Sequence, residues 1–388
     1  MNLPFSFLSP SQLHFGAGKL SSLPNLIDSR AKSVLIVLGA NSHKASSAIS
    51  EVLDHLPKKF SVTMTTVPSE PTPKIIDDAV SLSQANKPDV VIAIGGGSVL
   101  DAGKAISAMV PLNDSVKHYL EGVGTKSHTG IKIPFIAIPT TSGTGSEATK
   151  NAVISEVGGS GYKKSLRHNN FIPDIALVDP ELTLGCSLFQ TASSGMDAFT
   201  QLLESFVSTN ANEMTDALAL KGLNLVSRHL LAAYRNGDDM EARTAMALSA
   251  YLSGLTLANA GLGLVHGFAS SIGGYFEIPH GVICSAMMKS CNELTIRALK
   301  KSGNHFSLSK FASVGRMFDD SGAKNDLYYV DRLMAHIDFL KDEMKVPKLG
   351  TYGVTLQDVS RIVASTDNKF NPVILSREEI AEALELSL

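Results

Sequence analysis

The chain has 388 residues, a formal net charge of −3 and 44% hydrophobic residues. That length favours two domains, and that charge leaves no basic footprint for nucleic acid. No apolar run is long enough to cross a bilayer uninterrupted, so no membrane partner is expected. Cys186, Cys284 and Cys291 follow no paired spacing, which predicts reduced thiols in a cytoplasmic protein. The opening MNLPFSFLSPSQLHF has no basic stretch ahead of an apolar run and does not read as a signal peptide.

Residues 1–30 read as a short strand pair, with Gly16-Ala17-Gly18 turning the chain toward a helix from Lys19 to Ile27. Ser33 to Leu38 is a buried-strand run ending at Gly39. A helix from about Lys44 to Leu56, a strand from Val62 to Val67 and a helix from about Lys74 to Gln84 follow. Asp89 to Ile94 is a continuous apolar strand that runs into Gly95-Gly96-Gly97-Ser98, and Val99 to Met109 reads as a helix. Strand, glycine turn and helix together bind phosphate: the backbone can come close, and the helix N-terminus offers free N–H groups. The pattern is neither a Walker A loop nor a G-x-G-x-x-G fingerprint. A tight turn without a ligand is the plainer alternative, but three consecutive glycines cost backbone entropy. Ile133 to Ile138 is a further strand, ending in Pro139-Thr140-Thr141-Ser142-Gly143-Thr144-Gly145-Ser146-Glu147. Both loops follow buried strands, so both belong at the carboxyl edge where open α/β sheets bind ligands. Ala152 to Ser155 and Ile175 to Val178 add strands, and Asp179-Pro180-Glu181 closes the first half.

Beyond Pro180 helical periodicity replaces strand runs. The boundary falls near Leu184 to Phe189, giving an α/β domain over 1–185 and an all-helical domain over 186–388. Ser193 or Ser194 can cap a helix from about Met196 to Phe206, which carries Asp197 and Gln201 four apart on one face, with Glu204 near it. His266 and His280 lie in GLGLVHGFASSIGGYFEIPHG, a stretch without lysine, arginine or aspartate. An apolar surround makes a neutral imidazole a good metal ligand. The two histidines are read as holding a catalytic metal, with Asp197 and Gln201 completing the site. Core histidines satisfied by backbone carbonyls are the plainer alternative. Residues 301–326 are polar and read as a loop with a short helix, and Ser376 reads as the cap of a terminal helix.

Gly95-Gly96-Gly97-Ser98 with Asp101 and Lys104, the Pro139 to Glu147 run, Asp179-Pro180, Gly195-Met196-Asp197-Ala198, His266-Gly267 and Pro279-His280-Gly281 occur in this order. Together they make the chain resemble the iron-containing (group III) alcohol dehydrogenase family, over almost its whole length. The resemblance implies a dehydroquinate synthase-like architecture: an N-terminal dinucleotide-binding α/β domain, an all-α C-terminal domain and a metal in the cleft between them. It implies hydride transfer between NAD or NADP and a small alcohol or aldehyde, and a homodimer. It places Gly96, Gly97 and Ser98 on the pyrophosphate, and Thr140, Thr141 and Thr144 along the cofactor. Asp101, Asn151 and Lys163 belong to the same expected cofactor surroundings.

Three departures stand out. The family binds its metal with one aspartate and three histidines, and Asp197, His266 and His280 match three of these. The fourth position is Gln201, a neutral and weaker ligand for a late divalent metal. A further family histidine is replaced by Ser270, which can pass a proton but is no base near neutral pH. Where many members carry an aspartate after the second strand, this chain has Gly39, followed by Asn41, Ser42 and Lys44. Without that carboxylate nothing repels a 2′-phosphate, so NADP is expected ahead of NAD. The resemblance gives Fe²⁺ as the metal; the ligand chemistry also admits Zn²⁺ and other divalent ions. A dehydroquinate synthase-like lyase and a cofactor-binding protein without catalysis are the alternatives.

Overall fold

Apolar strands that alternate with helices must cover both faces of a parallel sheet, and the first half of the chain does so. The computed structural model describes residues 4–40, 46–84, 87–319 and 321–388. It divides into two compact units. One comprises Leu8–Glu156 and Lys163–Cys186; the other comprises Ser187–Leu388 with Val157–Tyr162 and the stretch up to Phe7.

The first unit holds a six-stranded sheet. Its strands are β1 (Gln12–Phe15), β2 (Ser33–Gly39), β3 (Ser61–Val67), β4 (Val90–Gly95), β5 (Phe135–Pro139) and β8 (Ile175–Val178). They lie in the order β1-β8-β5-β4-β2-β3, and every pair is parallel. β6 (Asn151–Glu156) and β7 (Tyr162–Arg167) pair separately. From β2 the chain goes outward to β3, whereas from β4 it goes the other way to β5. The order therefore reverses between β2 and β4, where Leu38 stands opposite Ile94. All six residues of β4 are buried, and so the strand reads as an unbroken apolar run.

Four helices of this unit are α1 (Leu23–Leu26), α2 (Ser47–His55), α3 (Pro73–Ser83) and α4 (Gly97–Met109). Residues 19–26 form only a 3-10 turn and one short helical turn, and the opening segment contributes β1 rather than a strand pair. Asp179 explains both Asp179-Pro180 and the Gly16-Ala17-Gly18 turn: its carboxylate accepts from the Gly18, Leu20 and Glu181 amides at 3.2, 2.9 and 3.1 Å. Helix α4 lies close on the sheet because of Gly103, where a Cβ would come within 2.6 Å of the Ala93 Cβ.

The second unit is helical: α5 (Leu188–Val207), α6 (Glu213–Arg235), α7 (Met240–Ala260), α8 (Leu264–Tyr275), α9 (His280–Ser302), α10 (His305–Gly315), α11 (Asp326–Glu343), α12 (Val359–Ser365) and α13 (Arg377–Glu385). The Ser376–Glu379 capping box forms at α13. The expected start of α5 is corrected. Ser187, not Ser193 or Ser194, caps it through the Gln190 amide, and Ser194 instead donates back to the Gln190 carbonyl at 2.6 Å. Asp197 thus sits in the third turn, too deep to serve the helix dipole. Among the described residues no single helix is long and apolar enough to cross a membrane.

Lys104 anchors the loop that follows β5. It is 1% exposed, and its ammonium donates to the Ser146 carbonyl and hydroxyl, the Thr149 hydroxyl and the Asn151 carbonyl at 2.8–3.1 Å. Burial lowers its pKa to about 8. Glu147 beside it is 2% exposed, and burial raises its pKa to about 7. The folded state therefore keeps the Glu147 proton to a higher pH than the unfolded chain. That contribution to stability is complete below about 4.5 and is lost as the pH rises to about 7, a change of about 3 kcal/mol. Glu147→Gln should flatten the fall in unfolding free energy between pH 4.5 and 7 measured by denaturant titration; an unchanged slope contradicts this assignment.

Candidate metal centre

Three helices of the second unit bring four side chains to one point. On α5, Asp197, Gln201 and Glu204 follow at i, i+4 and i+7 and share a face; they are 1%, 2% and 4% exposed. His266 is the third residue of α8, and His280 the first of α9. The glycine after each histidine sets the approach. A Cβ on Gly267 would come within 2.1 Å of the Asp367 carbonyl oxygen. One on Gly281 would come within 2.3 Å of the Ser193 carbonyl oxygen, a turn before Asp197.

The His266 Nε2 lies 3.3 Å from Asp197 Oδ1, and the His280 Nε2 lies 3.7 Å from the same oxygen. The other side of the His266 ring is fixed: its Nδ1 meets Glu204 Oε2 at 2.7 Å, while Glu204 Oε1 accepts from the Val265 amide at 2.7 Å. A carboxylate on the outer nitrogen sets the ring's orientation and leaves Nε2 for a metal. Gly263 makes room for it, since a Cβ there would lie 2.9 Å from Glu204 Oε1. Cys284, one turn after His280, places its Sγ 3.6 Å from His266 Nε2 and 3.7 Å from His280 Nε2. The ligand atoms of Asp197, His266, His280 and Cys284 all lie within 4.8 Å of one another and can hold a metal ion.

The electrostatics fit a cation. Burial opposes a charge on His266, yet Cys284, Asp197 and Glu204 raise its pKa well above the ordinary value. Burial would raise the Asp197 carboxyl, but His280 and His266 hold it below the usual range. Burial pushes the Cys284 thiol up to about 12. Val265, Phe268, Ile272 and Ile283 belong to the buried apolar cluster around these groups, which leaves the charges poorly screened.

Gln201 turns its amide nitrogen to Asp197 Oδ2 at 3.3 Å, and its oxygen accepts from the Ser253 hydroxyl at 2.9 Å. Ser270 donates its proton to the His266 carbonyl at 3.1 Å, a bond along its own helix. Sequence reading missed Cys284 and the role of Glu204. Both carried a signal, His280-x-x-x-Cys284 at helical spacing and Glu204 on the Asp197 face.

In the sheet unit Gly96 is the N-cap of α4 and has no side-chain cap. A Cβ on Gly97 would come within 2.5 Å of Thr144, and one on Gly96 within 3.5 Å of Thr141, so the two loops meet. The Thr140 amide donates to the Gly95 carbonyl at 2.9 Å. The Ser98 hydroxyl donates to Glu70 at 3.2 Å, and Lys163 pairs with the same carboxylate at 3.0 Å. Asp101 is held internally by the Ser146 hydroxyl and the Val153 amide, and Asn151 gives its carbonyl to Lys104; both shape the loop. Gly39 ends β2 at the switch point. Asn41, Ser42 and Lys44 lie outside the described residues.

The sequence profile of iron-containing alcohol dehydrogenases matches residues 10–180, and that of the C-terminal part of the same family matches residues 191–388. The chain is 33% identical over 344 residues to 1-propanol dehydrogenase of Citrobacter freundii, covering 88% of this chain and 86% of that one. It is 30% identical over 395 residues to NADPH-dependent butanol dehydrogenase of Clostridium saccharobutylicum, covering 98% and 97%. A solved 1,3-propanediol oxidoreductase superposes with a TM-score of 0.89 at 26% identity over 100% of both chains. Fold and profiles together define an oxidoreductase acting on CH–OH groups. The chain belongs to the iron-containing alcohol dehydrogenase family, whose members work with a divalent metal and a nicotinamide cofactor.

Glu204→Gln keeps an acceptor for the Val265 amide but removes the charge behind His266. It should weaken divalent-metal binding about 10- to 100-fold in chelator competition; unchanged affinity contradicts the orienting role.

Proposed function

We propose that this chain is a divalent-metal-dependent alcohol dehydrogenase that prefers NADP and interconverts small primary alcohols and aldehydes, as a cytoplasmic homodimer. The convergence of Asp197 Oδ1, His266 Nε2 and His280 Nε2 carries the reading. The names of its relatives, propanol and butanol dehydrogenases, support the substrate class.

Asp197, His266 and His280 would hold the metal, which when bound supplies a Lewis acid for the alcohol or carbonyl oxygen. The nicotinamide supplies the hydride chemistry, and the protein orients it. The chain's own residues do the rest. Asp197 offsets the positive charge, Glu204 keeps the His266 ring in line, and Val265, Phe268 and Ile283 keep water away. The uncapped start of α4 offers the amides of Gly97 and Ser98 to the pyrophosphate. The loop containing Thr140, Thr141 and Thr144, held by Lys104, lines the cofactor, and Lys163 serves through its hold on Glu70. Gly39 leaves the end of β2 without a carboxylate, which supports NADP and admits NAD. Iron follows from the family name; the donor set also suits Zn²⁺.

Steady-state assays with NADPH and NADH across short aldehydes test this. NADPH should give the higher kcat/KM, and Gly39→Asp should erase the preference by adding about 1.4 kcal/mol or more of repulsion, a factor of about ten. A native preference for NADH contradicts the NADP assignment. His266→Ala should cut turnover about a thousandfold, several kcal/mol of lost metal catalysis, with the native far-ultraviolet circular dichroism retained. Near-native turnover contradicts the metal centre.

A further inference from the structure

We infer that Cys284, not Gln201, is the fourth protein ligand, so that the centre is a carboxylate, two imidazoles and a thiolate. The inference rests on the metal reading above and specifies its ligand set. A buried cysteine is usually a small apolar core residue with a weak S–H donor. That description does not fit the surroundings of Cys284. Its Sγ faces two imidazole nitrogens, at 3.6 and 3.7 Å, and a single S–H can serve only one of them. Among the described residues Asp197 Oδ1, on a side chain 1% exposed, makes no hydrogen bond although it faces the same point. Gln201, the residue at the expected fourth position, turns its oxygen to Ser253.

The separations within the cluster also fit a shared ion. Ligands about 2.0–2.3 Å from a tetrahedral centre lie about 3.3–3.6 Å from one another. The observed separations are 3.3 Å for Asp197 Oδ1 to His266 Nε2, 3.7 Å for Asp197 Oδ1 to His280 Nε2, and 3.6 and 3.7 Å from Cys284 Sγ to the two imidazoles. Four of the six separations thus match the edges of one tetrahedron, and the other two, His266 to His280 and Asp197 to Cys284, lie within 4.8 Å. The fold supplies this spacing without rearrangement, because His280 and Cys284 are one turn apart on α9. On binding, the cation takes the place of the thiol proton, which leaves to solvent. A thiolate in the set shifts preference from Fe²⁺ toward Zn²⁺ and Co²⁺, which are more thiophilic.

Cobalt titration of the metal-free full-length protein tests this without reference to turnover. One equivalent of Co²⁺ should bring in visible ligand-field bands together with a near-ultraviolet thiolate-to-cobalt charge-transfer band. Cys284→Ser and Cys284→Ala should lose the charge-transfer band and keep the ligand-field bands, whereas Cys291→Ser should keep both. X-ray absorption of the zinc form should then show one sulfur at about 2.3 Å. Ligand-field bands without a charge-transfer band in the native protein overturn the Cys284 assignment and leave the three-ligand reading standing. A charge-transfer band that survives both Cys284 variants also overturns it. Absence of stoichiometric cobalt binding overturns the metal centre and this inference with it.

Discussion

The contact on which the candidate centre depends is the one between Glu204 and His266. A buried imidazole can present either nitrogen, and a metal site needs one chosen in advance. Glu204 makes the choice by taking Nδ1 with one oxygen and the first-turn amide of Val265 with the other. The same carboxylate therefore fixes the ring and the helix that carries it. It reaches them only because residue 263 has no side chain. Asp197 sits two turns earlier on the same helix, so the carboxylate that orients and the carboxylate that faces the cluster move as one body.

The sheet unit is built by a similar device. There the buried ionic anchor is Lys104, which gathers Ser146, Thr149 and Asn151 behind the loop containing Thr140 and Thr144. The close approach is again made by glycine, with Gly97 against Thr144. In each unit a candidate site residue stands in the first turn of a helix: Ser98 on α4, and His266 and His280 on α8 and α9. A first turn joins a rigid element to free backbone amides, so position and electrostatics come together. The cost is burial of charge, visible in the lowered proton affinity of Lys104 and the raised one of Glu147.

Much of this was legible in the sequence. Continuous apolar runs at 33–38, 89–94 and 133–138 mark strands buried on both faces, and the glycine run after the second marks the switch point. Asp197, His266 and His280 stood out because charged or titratable groups in apolar stretches need a reason. Spacing along a helix gives the face that carries Gln201 but not which end of its amide turns toward Ser253. Likewise the sequence does not show that Ser270 gives its proton to the carbonyl four residues back. Cys284 was passed over because a cysteine among Val282, Ile283 and Ala286 looks like packing. Only the fold shows that its sulfur faces two imidazoles. Asp101 resembled a ligand-binding acid, yet the β6 backbone and Ser146 account for both of its oxygens.

The central claim is that side chains from three helices share one cation. Crystals of the full chain grown with one equivalent of Zn²⁺ and measured on either side of the zinc absorption edge address it directly. The account predicts a single strong anomalous peak within ligand distance of Asp197 Oδ1, His266 Nε2 and His280 Nε2, about 2.0–2.2 Å from each. A fully zinc-loaded crystal with no peak among those three atoms, or with the peak elsewhere in the chain, would contradict it.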